Sequence, residues 1–212
     1  MDAVLFSPTM LELKAIAPVA TKAGIQALTC GFGPAETAFS VTRFLENNNV
    51  SFIILAGIGG AYSEECLKAQ KAFVAISEVF ADLGRCGFGS IEPIDLKDEK
   101  IQQNFSLLDG QDELLRAFSQ SPYLATVPMA TVSCVSASIK RAQTIRELFD
   151  VTIENMEGAA AALVANAYNV QLIEIRSVSN LAGESDKSKW NVQEALALLC
   201  QGLREVISIL GL

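Results

Sequence analysis

Residues able to do chemistry gather in four segments of this 212-residue chain: 7–12, 57–62, 153–157 and 177–186. The first runs Ser7-Pro8-Thr9 and then Glu12, whose carboxylate can accept a proton or complete a helix cap with Thr9. The second is Gly57-Ile58-Gly59-Gly60. Glycines let a backbone approach a ligand and offer N–H donors, although a tight turn accounts for the same residues. The third is Glu154-Asn155-Met156-Glu157-Gly158-Ala159-Ala160, two carboxylates and a methionine at a helix start. Glu157 there either binds a polar ligand or complements the helix dipole. The fourth, Arg176-Ser177-Val178-Ser179-Asn180, brings neutral donors and acceptors to a strand end, or forms an Asx turn.

Composition narrows what these groups can do. The chain has no histidine, so Ser-His-Asp triads, Cys-His nucleophiles, imidazole shuttles and histidine-bound zinc are excluded. Acid–base work falls to carboxylates, Lys, Tyr, Cys, backbone or water. With 24 acidic against 16 basic residues and a net charge of −8, the chain repels phosphate backbones and anionic lipid, so no nucleic-acid or membrane partner is expected. Five scattered cysteines without a C-x-x-C read as buried free thiols of a reducing compartment, with no metal. There is no Gly-Lys-Ser/Thr phosphate loop and no G-x-S-x-G elbow, and Glu36 stands where Gly31-Phe32-Gly33 would need a third glycine. No cofactor is expected. The start of the chain has no basic, signal-like region, and the long uncharged run between Arg116 and Lys140 holds Pro122 and Pro128, so a cytoplasmic protein is expected.

The elements that must position these segments alternate in type. Apolar runs predict strands at 3–6, 25–30, 51–56, 72–80, 151–153 and 170–178, with 123–135 extended. Thr9 caps a helix whose stripe is Met10, Leu13, Ala17 and Ala20, and Pro34 opens another with Ala38, Val41, Phe44 and Leu45 inward. Further helices are predicted at 111–119, 137–149, 157–167 and 190–210, and residues 84–110 read as loop with short structure. No repeat or low-complexity linker interrupts the chain, so residues 1–212 form one α/β domain with a parallel or mixed sheet. In such sheets ligands collect at strand exits, where the four segments lie.

Together the segments resemble the nucleoside phosphorylase and nucleosidase superfamily. The closest likeness is to its hydrolytic branch, the methylthioadenosine/adenosylhomocysteine nucleosidases and futalosine hydrolases. The resemblance spans nearly the whole chain. It is carried by Glu12, Gly31-Phe32-Gly33, Ala56-Gly57-Ile58-Gly59-Gly60, Asn155-Met156-Glu157-Gly158-Ala159 and Arg176-Ser177-Val178-Ser179-Asn180. The continuation Leu181-Ala182-Gly183-Glu184-Ser185-Asp186, with Trp190 after it, is most similar to futalosine hydrolases.

The resemblance implies a three-layer phosphorylase/hydrolase-like fold with a central mixed β-sheet flanked by helices. It implies cleavage of a purine–ribose N-glycosidic bond by water. For the futalosine type, hypoxanthine and dehypoxanthinylfutalosine are released on the way to menaquinone. Adenine release from methylthioadenosine, adenosylhomocysteine or aminodeoxyfutalosine is the alternative, and a non-catalytic purine-nucleoside binder is a third. Glu12 matches the general base on water, and Glu157 the acceptor of the ribose hydroxyls. Met156 matches the residue along the ribose face, and Gly59 and Gly60 the backbone donors of the nucleophile pocket. Ser179 and Asn180 fall in the base-binding motif. Adenine-preferring relatives carry Asp where Asn180 stands, and an amide donor suits the N7 and O6 acceptors of a 6-oxopurine. Trp190 matches an aromatic wall for the 5′ substituent, Lys187 or Lys189 can meet its carboxylate, and Tyr62 and Phe88 are further pocket candidates. No cation follows Gly59-Gly60 closely, so water rather than phosphate is expected unless Arg43 or Arg85 converges on the pocket. The superfamily also implies a homo-oligomer, a dimer being favoured.

Overall fold

The structure, a computed structural model, describes residues 2–87, 90–93 and 103–212. In chain order its elements are β1 (Ala3–Ser7), α1 (Met10–Lys22), β2 (Gln26–Thr29), α2 (Pro34–Leu45), β3 (Phe52–Ala61), α3 (Glu64–Leu67), β4 (Ala72–Phe80), β5 (Gly84–Gly87), β6 (Ser90–Pro93) and β7 (Asn104–Ser106). The second half adds α4 (Asp112–Gln120), β8 (Leu124–Thr131), α5 (Ile139–Phe149), β9 (Ile153–Asn155), α6 (Gly158–Tyr168), β10 (Gln171–Leu181) and α7 (Val192–Leu210).

The main sheet is mixed and closes on itself. Parallel pairs join β1 to β2 and β3, β3 to β10, β4 to β8 and β8 to β9. Antiparallel pairs join β10 to β4 and β3 to β9. Strands β3, β10, β4, β8 and β9 therefore form a ring, from which β1 and β2 extend. Helices cover both faces. Val41 of α2 and the Ala159–Ala165 stretch of α6 pack with Leu55, Phe73 and Leu172 on one side. Ile16 of α1, Phe118 of α4 and Leu199 and Leu203 of α7 pack with Ile54, Val74 and Ile175 on the other. The three-layer α/β expectation holds.

Several local expectations need correction. The sequence places 57–60 in a turn, yet β3 runs unbroken through Gly57, Ile58, Gly59 and Gly60 to Ala61. The glycines serve close approach rather than bending. A Cβ on Gly57 would lie 2.6 Å from Arg176 Nη1 and 2.9 Å from Glu12 Oε1, and one on Gly59 would lie 2.6 Å from the Glu154 carbonyl oxygen. Likewise β10 continues through Ser179 and Asn180 to Leu181, so no Asx turn forms there. In α1 the buried stripe is Glu12, Ile16 and Ala20, and Met10 is 55% exposed. The phase is shifted because the inward residue of the first turn is a carboxylate, which an apolar pattern cannot reveal. Of the five free cysteines, Cys30 and Cys66 are buried but Cys86 and Cys134 are exposed, so burial does not describe them all. Phe88 lies outside the described residues.

Two bulges decide which way side chains point. Between β4 and β8 the register shifts at Ala75/Ser77, leaving Ile76 as the extra residue. Alternation thereby slips by one, and Glu78 falls on the same face as Phe73 and Ala75 instead of the opposite one. Between β10 and β3 the register shifts at Val178/Asn180, leaving Ser179 extra. Consecutive residues Ser179 and Asn180 can then both address one cavity.

Candidate active site

A cavity of about 560 Å³ opens at the exits of β1, β3, β9 and β10. Glu12, Met156, Glu157, Gly59, Gly60, Ser179, Asn180 and Trp190 all line it, so the structure brings these eight predicted residues together. Tyr62 does not line it. Its hydroxyl donates to Glu154 Oε2 at 3.0 Å from behind, and burial with the adjacent carboxylate holds the phenol well above its ordinary pKa. Neither Arg43 nor Arg85 reaches the cavity; Arg85 faces Glu92 in an exposed pair.

Glu12 completes the helix cap and also lines the cavity. The capping box with Thr9 is complete, and Oε2 accepts from Thr9 N at 3.1 Å and Thr9 Oγ1 at 2.5 Å. Oε1 accepts from Ile58 N at 2.9 Å. A carboxylate has about four lone-pair sites, so one on Oε1 stays open to the cavity. The cap fixes the carboxylate's position without using up its basic edge.

Glu157 sits at the N-cap of α6 but makes no side-chain cap there. Its Oε1 accepts from Gly33 N at 3.0 Å and its Oε2 from Arg176 Nη1 at 3.1 Å. Each oxygen keeps one lone pair, which matches the two vicinal hydroxyls of a ribose. Gly33 has φ +87, a conformation that glycine adopts freely and that precedes Pro34 at the helix start.

Arg176 is fully buried behind this edge. Its Nε donates to Glu174 Oε1 at 2.8 Å and its Nη2 to Asn155 Oδ1 at 3.5 Å. Burial opposes its charge, but the hydrogen bond to Glu174 and the carboxylates of Glu157 and Glu12 outweigh that and keep it protonated. Asn155 Oδ1 also accepts from the N–H groups of Glu157 and Gly158, at 2.9 and 2.8 Å, which ties the start of α6 to β9. Sequence reasoning missed Glu78 and Glu174. The available signal was an ionisable residue inside a continuous apolar strand, as at 78 and 174.

At the base end, Asn180 Nδ2 donates to the Leu181 carbonyl at 2.9 Å, and Oδ1 accepts from Ser179 Oγ at 2.8 Å. This sharpens the sequence expectation: one amide N–H, not both, remains for a ligand. The rim is made of two loops. Ser136 N and Oγ bond Glu154 at 2.8 and 2.5 Å, and Gly183 N bonds Ser136 O at 3.0 Å. Gly183, at φ +94, admits the Ser138–Ile139 backbone so closely that a Cβ would meet it at 2.7 Å. Trp190 Nε1 reaches the Glu184 carbonyl at 3.3 Å. Lys189 pairs with Glu184 at 2.7 Å, whereas Lys187 lines the cavity.

Among the described residues, no group of three or more Cys, Asp or Glu is arranged to hold a metal, and no helix is long and apolar enough to cross a membrane. The arrangement presents one open carboxylate edge for water, a second for a diol, and a neutral amide for a heterocycle.

Sequence and fold comparisons agree on the class. A family model described as the phosphorylase superfamily matches residues 12–208, and the chain belongs to that superfamily. Futalosine hydrolase of Thermus thermophilus is 30% identical over 221 residues, covering 97% of this chain and 95% of the relative. Futalosine hydrolase of Streptomyces coelicolor is 29% identical over 194 residues, covering 88% of this chain and 80% of that protein. Among solved structures, futalosine hydrolase of Helicobacter pylori superposes with a TM-score of 0.81 at 15% identity, covering 98% of this chain and 97% of that one. The 5′-methylthioadenosine/S-adenosylhomocysteine nucleosidase of the same organism superposes with a TM-score of 0.78 at 15% identity, covering 100% and 98%.

Proposed function

We propose that this chain hydrolyses the N-glycosidic bond of futalosine, releasing hypoxanthine and dehypoxanthinylfutalosine. The observation that carries the reading is the single cavity in which Glu12, Glu157 and Asn180 each keep an unused hydrogen-bonding position. Glu157 accepts from the ribose 2′- and 3′-hydroxyls through charge-assisted bonds and favours positive charge at the anomeric carbon. Met156 packs along the sugar, and the Gly59–Gly60 edge leaves room for water beside it. As the C–N bond lengthens, the open Oε1 of Glu12 takes a proton from that water, which adds to the oxocarbenium-like carbon. The free N–H of Asn180 points between N7 and O6 of the purine and stabilises the departing anion. A carboxylate in its place would repel O6.

The aryl substituent on the 5′ side stacks on Trp190, and Lys187 meets its carboxylate. The two futalosine hydrolase relatives, at about 30% identity, support futalosine over other nucleosides. We also infer cytoplasmic work in menaquinone formation, to which five free cysteines conform. A second copy of the chain fits the mouth, where Leu11, Phe32 and Val135 are 56, 62 and 46% exposed. Light scattering that returns a monomer removes the oligomer. The function is tested by chromatography of the base released in phosphate-free buffer. Hypoxanthine from futalosine is expected. Adenine from methylthioadenosine, with no hypoxanthine from futalosine, refutes it in favour of the adenine-releasing alternative.

A further inference from the structure

Behind the diol-binding edge lie two carboxyl groups that touch no substrate. Glu174 and Glu78 are 0 and 1% exposed. A Cβ on Gly158 would stand 2.3 Å from Glu174 Oε2 and 2.4 Å from Glu78 Oε1, so these two oxygens crowd one spot over the first residue of α6. Both Glu78 oxygens already accept: Oε1 from Asn155 Nδ2 at 2.5 Å, Oε2 from Thr131 Oγ1 at 2.7 Å. Glu174 Oε1 accepts from Arg176 Nε, but Glu174 Oε2 has no donor. Two adjacent buried anions with a bare oxygen between them are unfavourable, and a single proton removes both faults.

We propose that Glu174 is held as a neutral carboxylic acid whose Oε2–H donates to Glu78 Oε1, and that it is a positioning residue, leaving the Arg176 guanidinium to hold Glu157. This rests on the reading of Glu157 as the ribose acceptor. Burial pushes both glutamates above the ordinary carboxylate range, with Glu174 adding to the rise of Glu78, Glu157 to that of Glu174, and Arg176 partly offsetting it for both. The charged groups facing Glu174 are Glu78 from β4, Glu157 from the start of α6 and Arg176 from its own strand, with Glu12 of α1 acting through Arg176. Strand β3 carries no ionisable side chain, and Arg204 and Glu205 belong to α7 on the opposite face of the sheet. Placing the proton on Glu174 leaves both Glu78 oxygens as full acceptors for Asn155 and Thr131. Asn155 in turn orients the Glu157 and Gly158 amides, so the shared proton and the sugar-binding carboxylate belong to one network.

The isosteres differ in a way that tests this. In Glu174→Gln the amide nitrogen donates to Glu78 Oε1 and the amide oxygen accepts from Arg176 Nε, reproducing each bond of the neutral acid. In Glu78→Gln an NH₂ group must face the Asn155 or Thr131 donor. Infrared difference spectra of wild type against Glu174→Gln near neutral pH are expected to show a protonated carboxyl carbonyl band lost in the variant. In the same proteins, KM for futalosine is followed into alkaline solution. Wild-type KM is expected to rise as the pair ionises, while Glu174→Gln stays within about twofold of its neutral value. Glu78→Gln is expected to show raised KM at every pH. No band overturns the proton. A band with identical alkaline limbs in both proteins overturns the positioning role, as does a Glu174→Gln chain that fails to fold. A wild-type protein that leaves futalosine intact refutes the functional reading instead, and the infrared band still decides for Glu174.

Discussion

The cavity is built from two kinds of backbone. Its floor is strand and helix start, with Ile58–Gly60 on β3, Asn155 on β9, Ser179 and Asn180 on β10 and Glu157 at the head of α6. There each charged group is fixed by several partners, and Arg176 alone binds Glu174, Glu157 and Asn155. Its rim is loop, with Val135–Ala137 tied to Glu154 through Ser136, and Ala182–Trp190 held by local backbone bonds, by the side chains of Glu184 and Asp186 and by the exposed Glu184–Lys189 pair. On the proposed reading, groups that any ribosyl hydrolysis needs lie on the strand-built floor, and groups that meet the 5′ substituent lie on the loop-built rim. Changes in the floor should therefore cost turnover, folding or the choice of base, and changes in the rim only the choice of 5′ substituent.

Five substitutions probe that division, from the largest effect to the smallest. Glu12→Gln removes the base and can keep the cap through its amide oxygen with its NH₂ turned to the Ile58 N–H, so kcat should fall about 10²- to 10⁴-fold, with futalosine binding still measurable by calorimetry. An unaltered kcat would take Glu12 out of the chemistry. Arg176→Met leaves Glu157 buried without its cation and should lower stability by about 3–5 kcal/mol in urea titration. A rim residue behaving the same way would erase the contrast. Asn180→Asp should move the ratio of specificity constants toward 6-aminopurines by about ten- to a hundredfold. No shift would remove Asn180 from base selection. Trp190→Ala should raise KM about 3- to 10-fold for futalosine and leave inosine unaffected, since only the former offers an aryl group to stack. Equal effects on both would put Trp190 in the floor. Lys189→Ala should change neither the urea midpoint nor kcat, because its pair with Glu184 is solvent-screened. Stability has its own pH signature. The Glu174–Glu78 pair binds its proton more tightly folded than unfolded, so its contribution is complete below the ordinary Glu range and fades as pH rises until the pair ionises. A Glu174→Gln protein should lack that fade.

The sequence displayed much of this arrangement. Apolar runs such as Ala72–Phe80 and the capping box of Thr9 and Glu12 gave strands and helix starts directly, because those signals are local. All eight proposed site residues meet in the cavity, since they lie at strand exits that a layered α/β fold must gather. The glycines of β3 misled, because glycine reads as a breaker until its neighbours, Arg176 and the Glu154 carbonyl, are in place. The bulges at Ile76 and Ser179 left no local mark either, being set by pairing with β8 and β3. Without the first, the inward direction of Glu78 was invisible, and with it the proton-sharing pair.

The ring formed by β3, β10, β4, β8 and β9 has a consequence for how such a molecule can diversify. Lengthening one member by a residue slides its partners on both sides unless a local bulge takes it up, as at Ile76 and Ser179. Larger insertions and deletions are thus confined to the connections outside the circle. The segment from Ala182 to Asn191, which lines one side of the cavity mouth, can change size while the carboxylates beneath it keep their spacing.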